Sequence, residues 1–172
     1  MKHSETARSV DVKMTRADLL AERLDVARAE GLQIAMCHGV FDLLHPGHLR
    51  HLARAKELAD VLVVSITADR FVNKGPGRPA FTETLRAEAL GSLESVDFVI
   101  ITPDATALPA ISAIKPNFYV KGGDYVDEDT DVTGNIRRER ELVESFGGEL
   151  VHTDEIVFSS SELINRHLPQ HS

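Results

Sequence analysis

A single cysteine among 172 residues, Cys37, leaves no partner for an intramolecular disulfide. It falls inside the apolar run Ile34-Ala35-Met36-Cys37, which marks it as a buried small hydrophobe rather than a nucleophile. No apolar run approaches the roughly 20 residues needed to cross a bilayer. The polar start from Met1 to Arg16 also lacks the apolar segment of a secretory signal. The chain is therefore expected to be cytoplasmic, with no membrane partner. Positive charge is scarce: 19 Lys and Arg face 27 Asp and Glu, a net charge of −8 that argues against a nucleic-acid partner. Any phosphate site must then be a local cationic cluster in an acidic body. Internal repeats and low-complexity linkers are absent. Two phosphate-loop signatures are missing as well. No Gly-x-Gly-x-x-Gly follows the first apolar run, and Lys74-Gly75-Pro76-Gly77-Arg78 lacks the Gly-Lys-Ser/Thr ending of a Walker A loop.

What is present is an ordinary globular composition, 42% hydrophobic and 27% charged, in a chain long enough to bury one core. Residues 1–14 read as a flexible leader and 15–172 as a single domain. Thr15 is expected to cap a helix running to Ala29, with Leu19, Leu20, Leu24 and Ala27 as its apolar stripe and Gly31 as its stop. Strand-like and helix-like periods then alternate. Strands are expected at 33–38, 61–66, 97–101, 117–120 and 149–151, and helices at 47–59, 82–93, 107–114, 132–146 and 161–168. Val61-Leu62-Val63-Val64 and Phe98-Val99-Ile100-Ile101 are continuous apolar runs, as strands covered on both faces require. The alternation implies an α/β fold with a parallel sheet and right-handed crossovers.

The most informative stretch is Gly39-Val40-Phe41-Asp42-Leu43-Leu44-His45-Pro46-Gly47-His48, between the first strand and the next helix. A helix start offers unpaired N–H groups and partial positive charge, which suit a phosphate. His45 and His48, three residues apart, share one face of that helix. Pro46 fits the first turn, and Gly47 leaves room for a ligand against the backbone. Competing readings are a plainly capped helix and a metal site, because His38, His45, His48 and His51 crowd together. No acidic or cysteine set completes a metal site, so none is expected, and His38 and His51 are expected to be structural or surface residues.

Other pieces follow in order. The irregular loop Asn73 to Pro79 carries two cations, Lys74 and Arg78, and Arg86 lies near the start of the third helix. Lys121-Gly122-Gly123-Asp124-Tyr125 ends the fourth strand, where the lysine suits phosphates and the glycines admit a ribose or base to the backbone. Ser159, Ser160 and Ser161 open the last helix as a second anion cradle or as simple caps.

Gly-x-Phe-Asp-x-x-His-x-Gly-His at a strand-to-helix junction resembles the HxGH nucleotidyltransferase superfamily. The further strings Lys74-Gly75-Pro76-Gly77-Arg78-Pro79, Val96-Asp97 and Lys121-Gly122-Gly123-Asp124-Tyr125 are similar to the heptose-1-phosphate adenylyltransferase branch. The segment Asp154 to Phe158 and the charged stretch 127–140 depart from that pattern. The resemblance implies a Rossmann-like three-layer sandwich with a five-stranded parallel sheet in the order 3-2-1-4-5. It implies transfer of a nucleoside monophosphate from ATP to a sugar 1-phosphate, with Mg²⁺ accompanying the triphosphate. His45, His48 and Lys74 would be catalytic. Gly39, Val40, Phe41, Gly47, Lys121, Gly122, Asp124 and Ser159 to Ser161 would bind nucleotide. Asp42, Arg78 and Arg86 would bind the acceptor. A cytidylyltransferase using CTP on glycerol 3-phosphate or a related polyol phosphate is the alternative. A regulatory module that lost turnover and a class I aminoacyl-tRNA synthetase fragment are weaker readings; the chain is short and acidic for the latter. Small-molecule partners and a homodimer are the expected company. Some relatives carry a sugar kinase as well, so the phosphorylated sugar is expected from another protein.

Overall fold

Five strands, all parallel, form one sheet in the order β3-β2-β1-β4-β5 in a computed structural model that describes residues 13–122 and 134–153. The strands are β1 (Ile34–Gly39), β2 (Val61–Thr67), β3 (Phe98–Thr102), β4 (Phe118–Gly122) and β5 (Glu149–Thr153). The helix α1 (Ala17–Ala29) precedes β1, and between the strands run α2 (Pro46–Glu57), α3 (Glu83–Gly91), α4 (Leu108–Ile114) and α5 (Asn135–Ser145), with a short 3₁₀ turn at Asp69–Phe71. The expected last helix, 161–168, lies outside the described residues. The chain is thus an α/β Rossmann-like sandwich, with the strand order the resemblance implied.

Alternation along each strand sends successive side chains to opposite faces. Ala35, Cys37, Leu62, Val64, Val99 and Val120 face α2 and α3, packing with Leu52, Ala55, Ala87 and Leu90. Ile34, Met36, Val63, Ile100 and Tyr119 face the other layer, with Leu20 and Leu24 of α1, Ile111 and Ile114 of α4 and Val143 of α5. Because both faces are covered, the strands are apolar throughout their middles. Cys37 is fully buried, and burial pushes its thiol pKa well up, in keeping with a packing role. No helix among the described residues is long and apolar enough to cross a membrane.

Two details of the first helix differ from expectation. Thr15 does not cap it: its N–H donates to Val99 O, and Met14 bridges Val99, so this segment runs alongside β3. Arg16 occupies the cap position with no side-chain hydrogen bond to the helix. Leu19 is half exposed rather than part of the apolar stripe, because α1 contacts the sheet mainly through Leu20 and Leu24. The stop is as expected. Gly31 adopts φ +83°, and the N–H of Leu32 donates to Ala27 O.

Candidate active site

The β1–α2 turn sets the site. Phe41 takes a left-handed φ of +49°, unusual for a bulky residue, and its ring lies across Gly39. A Cβ at Gly39 would stand 3.1 Å from Phe41 Cε2, so any other residue there would press on the ring. Phe41 in turn packs on His48, ring centroids 5.1 Å apart. Pro46 opens α2, and His45 is its N-cap, with Nδ1 accepting the backbone N–H of His48 at 3.4 Å. That bond places the proton of a neutral His45 on Nε2. The two imidazoles stack, centroids 3.8 Å apart and 20° between planes.

The electrostatics keep both rings neutral. Burial is the main reason the His48 pKa falls to about 4, with His45, His51 and Lys74 adding to it. Burial also lowers His45. Lys74 lies close enough for its charge to be felt at His48. Its own pKa is lowered by burial and then by Arg78, against an opposing pull from Asp42. The structure therefore brings His45, His48, Lys74, Asp42 and Arg78 together.

The loop carrying Lys74 and Arg78 is tied to the turn by Asp42. Its carboxylate accepts from Arg78 Nε at 2.5 Å and from the backbone N–H groups of Ala80 at 2.6 Å and Phe81 at 3.4 Å. Gly75 and Gly77, at φ +98° and +71°, supply left-handed positions that the loop needs. Arg78 Nη2 is buried, with no hydrogen-bond partner among the described residues.

Arg86 is placed differently from the sequence expectation. Its guanidinium is buried and donates to the carbonyls of Phe81 at 3.1 Å, Thr67 at 2.8 Å and Val40, and to Asp69 Oδ1 at 2.7 Å. It staples the β1 turn, the end of β2 and the start of α3 to one another. Val40 contributes a backbone oxygen to that staple. Glu83 adds a strap by accepting the N–H of Asp69 at 2.7 Å.

At the end of β4, Lys121 Nζ pairs with Glu139 of α5 at 2.5 Å, and Tyr119 OH donates to the same carboxylate oxygen at 3.1 Å. Glu139 had no sequence signal, since it reads as one more charge in a polar helix. Nothing among the described residues lies within 4 Å of a Cβ placed on Gly122. Gly47 is buried at the first turn of α2. Asp124, Ser159, Ser160 and Ser161 lie outside the described residues. His51, one turn beyond His48, meets Thr153 Oγ1 at 2.8 Å and so links α2 to β5. Among the described residues no group of three or more His, Cys, Asp or Glu side chains is arranged to hold a metal ion.

Comparison with known proteins bears on the family of the chain. The cytidylyltransferase-like family profile matches residues 36–166. The bifunctional protein HldE of Pelobacter propionicus is 40% identical over 152 residues, covering 87% of this chain and 29% of that protein. HldE of Nitrobacter hamburgensis is 43% identical over 152 residues, covering 87% and 30%. The chain thus spans about three-tenths of the length of these curated relatives. A lipopolysaccharide core biosynthesis protein of Thermoplasma volcanium aligns with a TM-score of 0.60 at 25% identity, over 74% of this chain and all of that one. A pantoate-beta-alanine ligase of Francisella tularensis shares the fold, with a TM-score of 0.58 at 16% identity over 88% of this chain and 72% of its own. The stacked histidines at the start of α2, the 3-2-1-4-5 sheet and the match over 36–166 lead to one conclusion: this chain belongs to the cytidylyltransferase-like family and is a nucleotidyltransferase.

Proposed function

We propose that this nucleotidyltransferase moves an adenylyl group from ATP to a sugar 1-phosphate, with heptose 1-phosphate as the acceptor, for nucleotide-sugar and surface-polysaccharide synthesis. An acceptor phosphate oxygen forms a bond to the α-phosphorus, the bond from that phosphorus to the β-phosphate bridging oxygen breaks, and pyrophosphate leaves. The acceptor oxygen is already nucleophilic, so the protein's task is in-line positioning and stabilisation of charge. The observation that carries the reading is the stacked pair of neutral imidazoles at a helix N-terminus, beside a loop whose Lys74 and Arg78 are anchored to the same turn.

In this reading His45 and His48 donate N–H groups to the α- and β-phosphate oxygens, and the first turn of α2 adds its amides and dipole. Lys74 reaches the phosphates, and the Nη2 of Arg78, without a partner among the described residues, faces the acceptor phosphate. Asp42 and Arg86 act through the loop and turn they hold. Lys121, balanced by Glu139, borders the nucleotide together with Gly122 and Asp124, and the serines 159–161 grip the β/γ end. Mg²⁺ fits as a passenger of the triphosphate, because Asp42 is already engaged by Arg78 and two amides. When bound, it neutralises part of the phosphate charge.

The similarity to the HldE relatives favours the heptose and adenylyl reading, and the lipopolysaccharide core biosynthesis name of the Thermoplasma protein favours surface-polysaccharide synthesis. The test is a matrix of ATP and CTP against heptose 1-phosphate, other sugar 1-phosphates and glycerol 3-phosphate, followed by pyrophosphate release. The fastest turnover is expected with ATP and heptose 1-phosphate. Preference for CTP with glycerol 3-phosphate would replace this reading with a polyol-phosphate cytidylyltransferase, and no turnover with any pair would remove it.

A further inference from the structure

On the face packed by α1, α4 and α5, the inward positions of adjacent strands change character together. One level holds Val63, Met36, Tyr119 and Leu150, registered side by side and apolar or aromatic. Two residues further along each strand, at the carboxyl edge, the same positions are Ser65, His38, Lys121 and His152. Register pairs Ser65 with His38 and Lys121 with His152. One step past Cys37↔Val120 sets His38 beside Lys121, whose charge is felt at His38. Four neighbouring strands thus lay a polar row across the sheet, at the edge where ligands of open α/β sheets bind.

Polar groups of this kind are costly to bury unless partners satisfy them. His38 Nδ1 lies 3.1 Å from Ser65 Oγ, which also contacts Thr102 Oγ1, so the ring is pinned. Its Nε2 has only a long contact, 3.4 Å, to Thr67 Oγ1. Both ring nitrogens of His152 are buried without a hydrogen-bond partner among the described residues. Burial, with Lys121 nearby, holds His38 neutral, its pKa near 4, so it is suited to hydroxyls rather than to anions. Among the described residues, the two histidines of the row therefore have more hydrogen-bonding capacity than is used.

We propose that this row, together with Thr67 Oγ1 beside His38 Nε2, is the specificity subsite for the hydroxyl groups of the acceptor's sugar ring. The inference rests on the function proposed above. It favours the acceptor over the ribose of the nucleotide because Ser65 and Thr67 lie on β2, the strand that leads into the Lys74–Arg78 loop. A ring whose phosphate meets that loop then extends over the ends of β2 and β1. His38 positions this ring and takes no part in bond making.

The test uses the full chain, ATP, heptose 1-phosphate and monodeoxy analogues of that sugar. His38→Leu is expected to raise the KM for heptose 1-phosphate about tenfold, the effect of one lost hydrogen bond, with kcat and the KM for ATP nearly unchanged. His38→Gln should recover most of the loss. One monodeoxy analogue should bind wild type and His38→Leu alike, identifying the contacted hydroxyl. Thr67→Val, nearly isosteric, repeats the measurement should His38→Leu fail to fold. A rise in the KM for ATP instead, an equal loss in every parameter, or an unchanged acceptor KM in an active variant overturns the subsite alone. If wild type turns over glycerol 3-phosphate but not heptose 1-phosphate, or neither, the proposed function falls first and the subsite with it.

Discussion

Asp42 and Arg78, 36 residues apart in sequence, meet at 2.5 Å with side chains 0% and 6% exposed. The pair locks a glycine-rich loop onto the turn that presents the histidines, so the candidate site is assembled from two segments that are each irregular by themselves. Losing one partner of a buried pair leaves the other charge stranded, typically at a cost of about 3–5 kcal/mol. Asp42→Ala is expected to destabilise by that order, and Asp42→Ala with Arg78→Ala by clearly less than the sum of the two single changes. Urea denaturation of the four proteins measures the coupling, and simple additivity would show that the contact contributes little.

His48→Ala is expected to lower turnover at least 10²-fold, the usual effect of removing one preorganised donor from a developing anion. The fold should survive, because the ring is only half-buried and its ring contacts are with Phe41 and His45. Pyrophosphate release gives the rate and circular dichroism the fold. Near-wild-type turnover would remove His48 from the chemistry.

Acid should weaken the protein well above the usual carboxylate range. Burial, joined by neighbouring positive groups for His38 and His48, lowers His38, His48 and His51 from 6.5 to about 4. Well above pH 6.5 these rings are neutral in both states and stability does not change on their account. Between 6.5 and 4 the unfolded chain takes up protons that the folded one refuses, so stability falls as pH falls. Near pH 5 unfolding should take up about three protons through these rings. The pH dependence of the urea midpoint reads this directly, and His51→Gln should remove about one proton from the slope. A midpoint that stays flat from pH 6.5 to 5 contradicts the assignment.

Lys121 and Glu139 form the second buried pair, with side chains 11% and 5% exposed. Lys121→Met should destabilise by about 3–5 kcal/mol, since it strands the carboxylate that also receives Tyr119 OH. Adding Glu139→Leu should restore part of that loss. Thermal melting of the single and double variants decides it, and a double variant worse than either single one would show that the pair acts through other contacts.

Much of the architecture was legible before any coordinates. β2 and β3 announce themselves as apolar runs of strand length, α2 as an amphipathic stretch opened by proline, and the end of α1 as a glycine just past its last turn. The exceptions have local causes: Thr15 is drawn to the edge of β3, and Leu19 points outward from α1. The candidate site was legible in its residue types but not in its contacts. Arg86 looks like any surface arginine in sequence, yet it binds three carbonyls and a carboxylate. Glu139 was invisible because the lysine it meets is 18 residues earlier and on another element.

Among the described residues, sequence alone determined roughly where the strands and helices lie, and that a histidine pair opens a helix after the turn that follows the first strand. Those features follow from periodicity and backbone preference, which act over a few residues. Tertiary structure alone decided which charges are buried and with whom: Asp42 with Arg78, Lys121 with Glu139, and His38 with Ser65 in a polar row across four strands. Such pairings depend on how distant segments are brought together and how much water they exclude. That depends on the register and packing of the whole sheet, not on any short stretch of chain.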